Sequence, residues 1–277
     1  MSLFVLYLAR GMDGGAKATF DFFRSYMAVN AGCNHHLGVI FKGWDQPEEK
    51  EIALNLARLC NAQIFDFIDD GYDWGAYIRI MPYIDSYDEI CFLNTFSRPL
   101  VNDWLRLLSH ALNNTENGPI GAAGATGSWE SYLQWPNANF FSGGIRQRLK
   151  FFRNYLRFKP YPNYHLRSNA FICKKSIFNL FSKSLKIPKT KFDALLLESG
   201  RKGFSAFLLG MGYKLIVVGA DGSSYAQEEW DKSKTFRSGG QLNLVVSDNR
   251  TAQYDEASLV DKIRLRTLTW GSSSGPI

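Results

Sequence analysis

Carboxylates stand at two places in the sequence where they could do acid–base chemistry. The segment "DALLLESG" carries Glu198 five residues after Asp193, in an apolar context and next to a glycine. Apolar surroundings raise the pKa of a carboxylate, which can then serve as a general base. The same spacing suits an exposed residue on an amphipathic helix, so both interpretations of Glu198 stay open.

The second acidic cluster is "FIDDGYDWGAY", in which Asp69, Asp70 and Asp73 lie around Gly71 and Gly75. Carboxylates that follow a strand can hydrogen-bond a ribose or a base, and glycine lets the backbone approach a ligand closely. Asp73 would equally suit the N-cap or the first turn of the next helix. Nucleotide binding and helix capping are both consistent with this cluster.

Polar and basic residues also flank two further apolar strands. In "EICFLNTFSRP", Asn94, Thr95 and Arg98 come at the strand end. In "HLRSNAF", His165 and Arg167 come just before the strand. An arginine can clamp a diphosphate with two parallel hydrogen bonds, whereas a single histidine at a strand start is more often a satisfied structural group.

The turn "ARGMDGGAKATF", which begins with Ala9, Arg10 and Gly11, is rich in glycine and opens a helix. Its backbone N–H groups could meet an anion. The glycines do not form GxGxxG, and Lys17 lies between two alanines rather than in a Walker loop. A plain strand-to-helix turn is the competing interpretation.

Elements that alternate along the first half of the chain would position these residues. Strands that alternate with helices at this spacing predict crossover connections, a mainly parallel sheet flanked by helices, and ligands at the carboxyl ends of the strands. After Gly127 the pattern changes to an irregular aromatic loop, a basic segment, and a second α/β unit that ends in the strand "YKLIVVGADG". The predicted strands are 3–9, 37–43, 63–68, 89–94 and 119–125, and the predicted helices are 16–31, 47–61, 74–84 and 101–113.

Composition narrows the class of protein. With 277 residues and 45% apolar residues, the chain can bury a full core. It has no apolar run of the roughly 20 residues that a membrane span needs. Its four cysteines have no CxxC spacing, so we expect a reducing cytoplasm rather than disulfides or zinc.

The positive charge is concentrated in one segment. Residues 131–192 contain thirteen Lys and Arg and no Asp or Glu. A basic segment of this kind is typical of binding to the phosphates of a nucleic acid, an anionic lipid or a diphosphate substrate. A solvated basic surface without a ligand is the alternative. Within it, residues 145–159 have the composition of an interfacial helix, although core packing with snorkelling Arg and Lys would look alike. No nucleic-acid-binding motif accompanies the block, so we expect no nucleic-acid partner.

In their order, these segments resemble the GT-A, family 2-like glycosyltransferases that build bacterial surface polysaccharides, including rhamnose-containing ones. "LYLARGMDGGAKATFDFFRSY" is similar to their donor-binding opening, and "DDGYDWGAY" to their turn beside the nucleotide. "EICFLNTFSRPLVNDWLRLL" and "IGAAGATGSW" are similar to their next two blocks. The region from "HLRSNAFICKKSIF" to "YKLIVVGADG" resembles their acceptor-side half, so the resemblance covers residues 3–240.

The resemblance implies a GT-A fold over residues 1–240, with a donor half at 1–127, an acceptor half at 128–240, and a C-terminal extension or linker at 241–277. It implies inverting transfer of a hexosyl or deoxyhexosyl group from a nucleoside diphosphate sugar to a hydroxyl of a growing surface glycan, either lipid-linked or free. Glu198 is the first expectation for the base, and Asp193 the second. Donor or nucleotide binding is expected at Ala9, Arg10, Gly11, Asp69, Asp70, Gly71, Asp73, Asn94, Thr95 and Arg98, and acceptor or diphosphate binding at His165 and Arg167.

The resembling family normally carries Asp-x-Asp where this chain has Asn94, Thr95 and Phe96, and that motif binds Mg²⁺ or Mn²⁺ beside the donor diphosphate. Hard cations favour carboxylate oxygens, so neutral Asn94 and Thr95 would hold such an ion only weakly. We therefore predict metal-independent or weakly metal-assisted transfer and assign no metal ligand. The diphosphate charge would be offset by Arg98, Lys17, Arg167 and the basic segment.

The missing carboxylates also keep other functions open. A non-catalytic sugar- or nucleotide-binding module of a larger polysaccharide-assembly protein is the main alternative, and a nucleotidyltransferase on a similar sheet is another. The second of these would need carboxylates to hold its metal. A cytoplasmic location at the inner face of the membrane, with peripheral contact through residues 145–159, would suit a lipid-linked acceptor.

Overall fold

Alternating strands and helices build the chain. The computed structural model describes residues 2–116, 118–134 and 145–272. Its strands are β1 (Leu3–Arg10), β2 (His36–Lys42), β3 (Gln63–Asp66), β4 (Glu89–Leu93), β5 (Arg98–Pro99), β6 (Ile120–Gly124), β7 (Gly127–Ser128), β8 (His165–Leu166), β9 (Ala170–Lys174), β10 (Lys214–Val218), β11 (Ser224–Ala226) and β12 (Val246–Ser247). Its helices are α1 (Gly15–Ala28), α2 (Pro47–Leu59), α3 (Tyr72–Ile80), α4 (Trp104–Asn113), α5 (Ile145–Arg157), α6 (Lys175–Ser182), α7 (Lys191–Ser199), α8 (Phe204–Gly210), α9 (Asn249–Glu256) and α10 (Leu259–Trp270).

Eight strands form the central sheet, in the order β11-β10-β6-β9-β4-β1-β2-β3. The pairs of β1 with β2, β1 with β4, β2 with β3, and β6 with β10 are parallel. β9 runs antiparallel between β4 and β6, and β11 is an antiparallel edge strand. The predicted fold class, an α/β Rossmann-like architecture with a mainly parallel sheet, is confirmed.

Helices cover both faces of this sheet, which explains the continuous apolar sequence of its central strands. Along β1, Val5 and Tyr7 pack on one face with residues of α1, α2 and α4. Phe4 and Leu6 pack on the other face with residues of α3, α6, α7 and α8. Because β1, β2, β3 and β4 run in the same direction, the carboxyl ends of β1, β3 and β4 lie at one edge of the sheet, between the two helix layers.

Two predictions from the sequence need correction. The segment predicted as an extension or linker after residue 240 is folded against the domain: β12 pairs with β5, Val245 and Val246 lie in the core, and Trp270 is buried. The sequence "TKFDALLLESGRKGFSAFLLGMG" (residues 190–212) predicts one helix but forms two, α7 and α8, because Gly200 and Gly203 adopt extended rather than helical backbone conformations. The predicted irregular loop after Gly127 continues beyond residue 134, where it lies outside the described residues.

No helix among the described residues is long and apolar enough to span a membrane.

Candidate active site

Three adjoining cavities run along the edge where the parallel strands end. In order along this edge, we call them the loop cavity (about 440 Å³), the middle cavity (about 290 Å³) and the outer cavity (about 490 Å³). Arg10 and Tyr72 line both the loop and middle cavities. The middle and outer cavities share a wall formed by Asn94, Ser168, Lys191, Leu195, Glu198 and Asn249.

A buried lysine positions the loop between β3 and α3. The side chain of Lys42, at the end of β2, is 1% exposed. Its Nζ donates to the carbonyl oxygens of Asp70 at 2.7 Å and Tyr72 at 2.6 Å. Burial lowers the pKa of Lys42, and the neighbouring Asp69 counteracts this because it favours the charged ammonium. The loop therefore has a fixed course at the site.

Asp69 and Asp70 are held by arginines and line the loop cavity with Gly71. Arg10 donates to both carboxylate oxygens of Asp69, at 2.8 and 3.0 Å, and this bidentate pairing holds the pKa of Asp69 below its usual range. Asp70 accepts from Arg79 in the same way. Gly71 is the N-cap of α3 and has a φ of 69°, a backbone conformation that would be strained in a residue with a side chain.

Asp73 lies in the first turn of α3 and lines the middle cavity. Its carboxylate is half-buried and accepts no hydrogen bond from the described residues. Burial raises the pKa of Asp73 to about 6; the charge of Lys42 lowers it, and the negative charge of Glu198 adds to the increase. A carboxylate with this pKa can exchange a proton near neutral pH.

Asn94 ends the strand at the position where the resembling family carries its first aspartate. Its Oδ1 accepts from the backbone N–H of Phe96 and from the hydroxyl of Ser97, both at 3.1 Å. Since a backbone N–H can only donate, this contact fixes the orientation of the amide. The side chain thus offers its NH₂ group, rather than an oxygen, to the middle and outer cavities that it lines.

Two more donors at this corner are buried without a described partner. They are the hydroxyl of Thr95, 2% exposed in the wall of the middle cavity, and the Nδ2 of Asn169, 1% exposed in the wall of the outer cavity. Unpaired buried polar atoms are costly, so such atoms at a cavity wall suit a polar ligand.

The donor set at this corner does not fit Mg²⁺ or Mn²⁺. Such ions need several oxygen ligands, and the amide oxygen of Asn94 is already used. Across residues 2–116, 118–134 and 145–272, no group of three His, Cys, Asp or Glu side chains is arranged to hold a metal ion.

Glu198 on α7 stands in the wall shared by the middle and outer cavities. Its Oε1 accepts from the backbone N–H of Ser168 at 2.8 Å. Because only this oxygen has a described hydrogen bond, Oε2 is available to a ligand in either cavity. The position is geometrically suited to a base that serves two substrates.

Asp193, on the same helix, has a structural role. Its carboxylate accepts from the backbone N–H and the hydroxyl of Thr190, at 2.9 and 2.8 Å, and completes a capping box at the start of α7. The hydrogen bond from the Thr190 hydroxyl lowers the pKa of Asp193. Asp193 lines neither the middle nor the outer cavity.

The outer cavity is lined by His165 and Arg167, the two residues that the sequence predicts to bind the acceptor or a diphosphate, and also by Arg237. The Nδ1 of His165 lies 2.8 Å from the carbonyl oxygen of Asn163. Arg167 forms an ion pair with Asp248 at 2.7 Å, which attaches the segment after residue 240 to the site.

Three residues predicted to bind the donor do not line the loop, middle or outer cavity. The carbonyl of Ala9 accepts from the indole of Trp44 at 2.9 Å, and Gly11 donates its N–H to the carbonyl of Lys42 at 3.0 Å. Arg98 forms an ion pair with Asp21 at 2.7 Å and lines a further cavity, which shares Phe96 and Asn249 with the middle cavity. Lys17 pairs with the same carboxylate.

Several residues of the site were not found from the sequence. Ser168 contributes through its backbone, which no side-chain pattern reveals. Lys191 is exposed in the shared wall and forms no ion pair with the described residues. Capping chemistry was a usable signal, since Thr190 three residues before Asp193 is the start of a capping box and indicates a structural role for that carboxylate.

Away from the cavities, α5 exposes an apolar and basic surface. We call this the α5 surface; its described exposed side chains are Arg148, Leu149, Phe152, Arg153, Tyr155, Leu156 and Arg157. The spacing of Leu149, Phe152 and Leu156 places them on one side of the helix.

No protein-family model matches the sequence, and no curated protein matches it. Mouse xyloside xylosyltransferase 1, in its apo form, is 12% identical, with a TM-score of 0.40 over 76% of this chain and 80% of that one. CMP:2-keto-3-deoxy-manno-octonic acid synthetase complexed with CTP is 10% identical, with a TM-score of 0.43 over 78% and 88%. The bifunctional glycosyltransferase WbbM, in its apo structure, is 9% identical, with a TM-score of 0.44; it matches 97% of this chain, which spans 44% of its length. At such identities and TM-scores, no activity carries over to this chain.

We expect Asp73 to make stability depend on pH. Because its pKa is about 6 in the folded protein and 3.8 in the unfolded reference, the folded state holds more protons between these values, and stability falls as pH rises through them. Asp73→Asn removes this dependence. Relative to the wild type, the variant should gain about 1–2 kcal/mol of unfolding free energy between pH 4 and pH 8, less than the full linkage value because the group is half-buried. Urea unfolding at the two pH values measures this, and Asp66→Asn, at an exposed position, is the control; a constant difference between Asp73→Asn and the wild type would contradict it.

Proposed function

We propose that this protein is a glycosyltransferase that moves a sugar from a nucleoside diphosphate sugar to an acceptor hydroxyl. The observation that carries the proposal is the position of Glu198 in the wall between two adjoining cavities, at the carboxyl ends of parallel strands. A transferase needs a base at the junction of donor and acceptor, and open α/β sheets bind their ligands at this edge. The resemblance of the sequence to GT-A glycosyltransferases supports the same reaction.

In this proposal, each cavity takes one part of the substrates. The nucleoside lies in the loop cavity beside Asp69 and Asp70, where glycine allows close approach. The diphosphate and the sugar lie in the middle cavity, and the acceptor lies in the outer cavity. Arg10 and Tyr72, which line both the loop and middle cavities, lie between the nucleoside and the diphosphate.

Glu198 acts as the base. Its Oε2 takes the proton of the acceptor hydroxyl while the acceptor oxygen forms a bond to the anomeric carbon. The bond from that carbon to the diphosphate oxygen breaks, and its electron pair leaves with the nucleoside diphosphate. The hydrogen bond from Ser168 fixes the other oxygen of the carboxylate and orients it. In this proposal, the acceptor hydroxyl in the outer cavity attacks the anomeric carbon opposite the leaving diphosphate, which would invert the anomeric centre as the resemblance to the family implies.

The leaving diphosphate is stabilised without a metal. Lys191 supplies a positive charge in the shared wall, and the NH₂ of Asn94 and the hydroxyl of Thr95 supply neutral donors in the middle cavity. Donors that are oriented before reaction stabilise charge as it develops, because they need no reorganisation. This arrangement replaces the cation expected from the resembling family.

The acceptor is proposed to be a growing bacterial surface glycan on a lipid carrier, which places the enzyme at the cytoplasmic face of the membrane. The α5 surface combines exposed apolar side chains with arginines, which complements an anionic lipid surface. The competing function, a sugar- or nucleotide-binding module without activity, predicts donor binding and no turnover.

Glu198→Gln should lower kcat by about 10²–10⁴, because the amide cannot accept the acceptor proton, with a smaller change in the donor KM. A panel of nucleoside diphosphate sugars, first tested by thermal shift and then for transfer and hydrolysis, identifies the donor for this measurement. Asp193→Asn is the matched control on the same helix, and it should keep most of the activity since asparagine can still accept from Thr190. If Asp193→Asn loses the activity and Glu198→Gln keeps it, the assignment of the base is wrong; donor binding without turnover in the wild type supports the module instead.

Transfer by the wild type should be unchanged by EDTA, since the amide of Asn94 presents hydrogens to the diphosphate. Asn94→Asp should lower the rate about tenfold by placing a negative charge there, and added Mn²⁺ should restore part of it. Asn55→Asp, on the exposed side of α2, is the control. A rate of Asn94→Asp that equals the wild type and ignores Mn²⁺ would place Asn94 away from the diphosphate.

Phe152→Ser with Leu156→Ser should weaken binding to vesicles that contain phosphatidylglycerol by at least about tenfold, because both side chains are exposed and would enter the lipid interface. Cosedimentation with vesicles measures this. Vesicles of phosphatidylcholine, which has no net charge, show how much of the binding depends on the charge of the lipid. Leu242→Ser with Val260→Ser removes two equally exposed apolar side chains elsewhere and serves as the control. Equal binding by the two double variants would rule out a membrane role for α5.

A further inference from the structure

Two arginines lie over one aromatic ring in the outer cavity. The guanidinium carbon of Arg167 is 4.1 Å from the centre of the Phe236 ring, and that of Arg237 is 4.8 Å from it. Phe236 itself lines the cavity and is 2% exposed. Stacking on a ring holds a planar guanidinium without using its N–H donors. Arg167 uses donors on Thr126 and Asp248, and Arg237 uses one on Thr269, so the remaining N–H donors of the two guanidinium groups are available to a ligand.

Arg237 is buried with few hydrogen bonds. It is 7% exposed, and its Nη1 donates to the hydroxyl of Thr269 at 3.0 Å. Its Nε is buried without any partner among the described residues. A guanidinium has five N–H donors, and leaving a buried charge poorly bonded is unfavourable unless a ligand completes it.

The charge of Arg237 is also poorly compensated. Arg167 has Asp248 at 2.7 Å, whereas Arg237 has Glu130 at 3.5 Å. Burial lowers the pKa of Arg237 to about 10, against the raising effect of Glu130, and the positive charges of Arg167 and Arg250 lower it further. Like charges are thus held together at low exposure, and a bound anion would relieve their repulsion.

The backbone at Arg237 is strained. Its φ is 49°, in the left-handed region, and Lys234 and Gln241 in the same loop have φ values of 57° and 55°. The side chain of Gln241 accepts from the N–H of Arg237 at 3.1 Å and holds this conformation. Strain of this kind persists where the surrounding structure enforces it, and it concentrates at functional sites.

We propose that Arg237 and Arg167 form a subsite for a phosphate or diphosphate group on the acceptor. This inference rests on the proposed function, because it assigns the outer cavity to the acceptor. His165 and the unpaired Nδ2 of Asn169 line the same cavity and extend the set of donors. Guanidinium groups from two residues offer more donors than the two oxygens of a carboxylate can accept, so the tetrahedral, three-oxygen phosphate is the better match.

The test is isothermal titration of the full chain with hexyl phosphate, hexanoate and hexanol. Hexyl phosphate should bind the wild type at least about tenfold more tightly than hexanoate does, and hexanol should not bind. Arg237→Gln should weaken hexyl phosphate at least about tenfold. Arg58→Gln, an exposed arginine on α2, should leave its affinity unchanged. Thr95→Val alters the proposed diphosphate position in the middle cavity and should leave the binding that depends on Arg237 unchanged. If Arg237→Gln does not fold, Phe236→Leu removes the shared ring while keeping both arginines and should also weaken binding.

Hexyl phosphate affinity that is the same in the wild type, Arg237→Gln and Phe236→Leu overturns the subsite, and equal affinity for hexanoate overturns the phosphate assignment. Loss of binding in Thr95→Val alone would move the ligand to the middle cavity and also overturn it. The proposed function can fail separately: binding that depends on Arg237 in a protein with no transfer activity keeps the subsite and removes the glycosyltransferase. Conversely, transfer to uncharged acceptors at a rate that Arg237→Gln does not change keeps the glycosyltransferase and removes the subsite.

Discussion

The buried ammonium of Lys42 is the constraint on which the loop cavity and the adjoining part of the middle cavity depend. It ties two carbonyls of the loop after β3 to the end of β2, and its charge needs the carboxylate of Asp69 nearby. Asp69 in turn fixes Arg10, and Tyr72 starts the helix that carries Asp73. One desolvated charge therefore sets the position of three side chains along the cavities, because leaving it without these partners would be too costly.

Charge is distributed along the cavities in a way that fits the proposed roles. Arginines near the loop cavity are neutralised by aspartates, and the strand-end corner offers uncharged donors that have no partner among the described residues. The outer cavity holds an under-compensated cation in Arg237. A negatively charged ligand would therefore gain the most binding free energy at the strand-end corner and in the outer cavity, where N–H and O–H groups lack hydrogen-bond partners. It would gain the least beside Asp69, where the guanidinium of Arg10 is already paired.

The order of strands and helices was predictable because apolar runs and helical periodicity are local properties of the sequence. The place of Glu198 among apolar residues of a helix was predictable for the same reason, since these neighbours are adjacent in the chain, whereas its role as a base stays a prediction. Lys42 and Arg237 were not predictable: each appears in the sequence as an ordinary basic residue near a turn, and only the tertiary structure buries it. The fold of residues 241–270 was missed because β12 pairs with β5, a contact between segments that no local pattern connects.

The antiparallel strand β9 has a consequence for how the protein folds during synthesis. β6 lies between β9 and β10, so residues 120–124 have no partner in the sheet until residues 170–174 have left the ribosome, and one edge stays open until residues 214–218 follow. Pairing over such sequence distances is slow, and an open strand edge invites aggregation meanwhile. The segments before and after residue 127 therefore fold as one unit, and a fragment that ends near residue 127 would carry an unpaired β6.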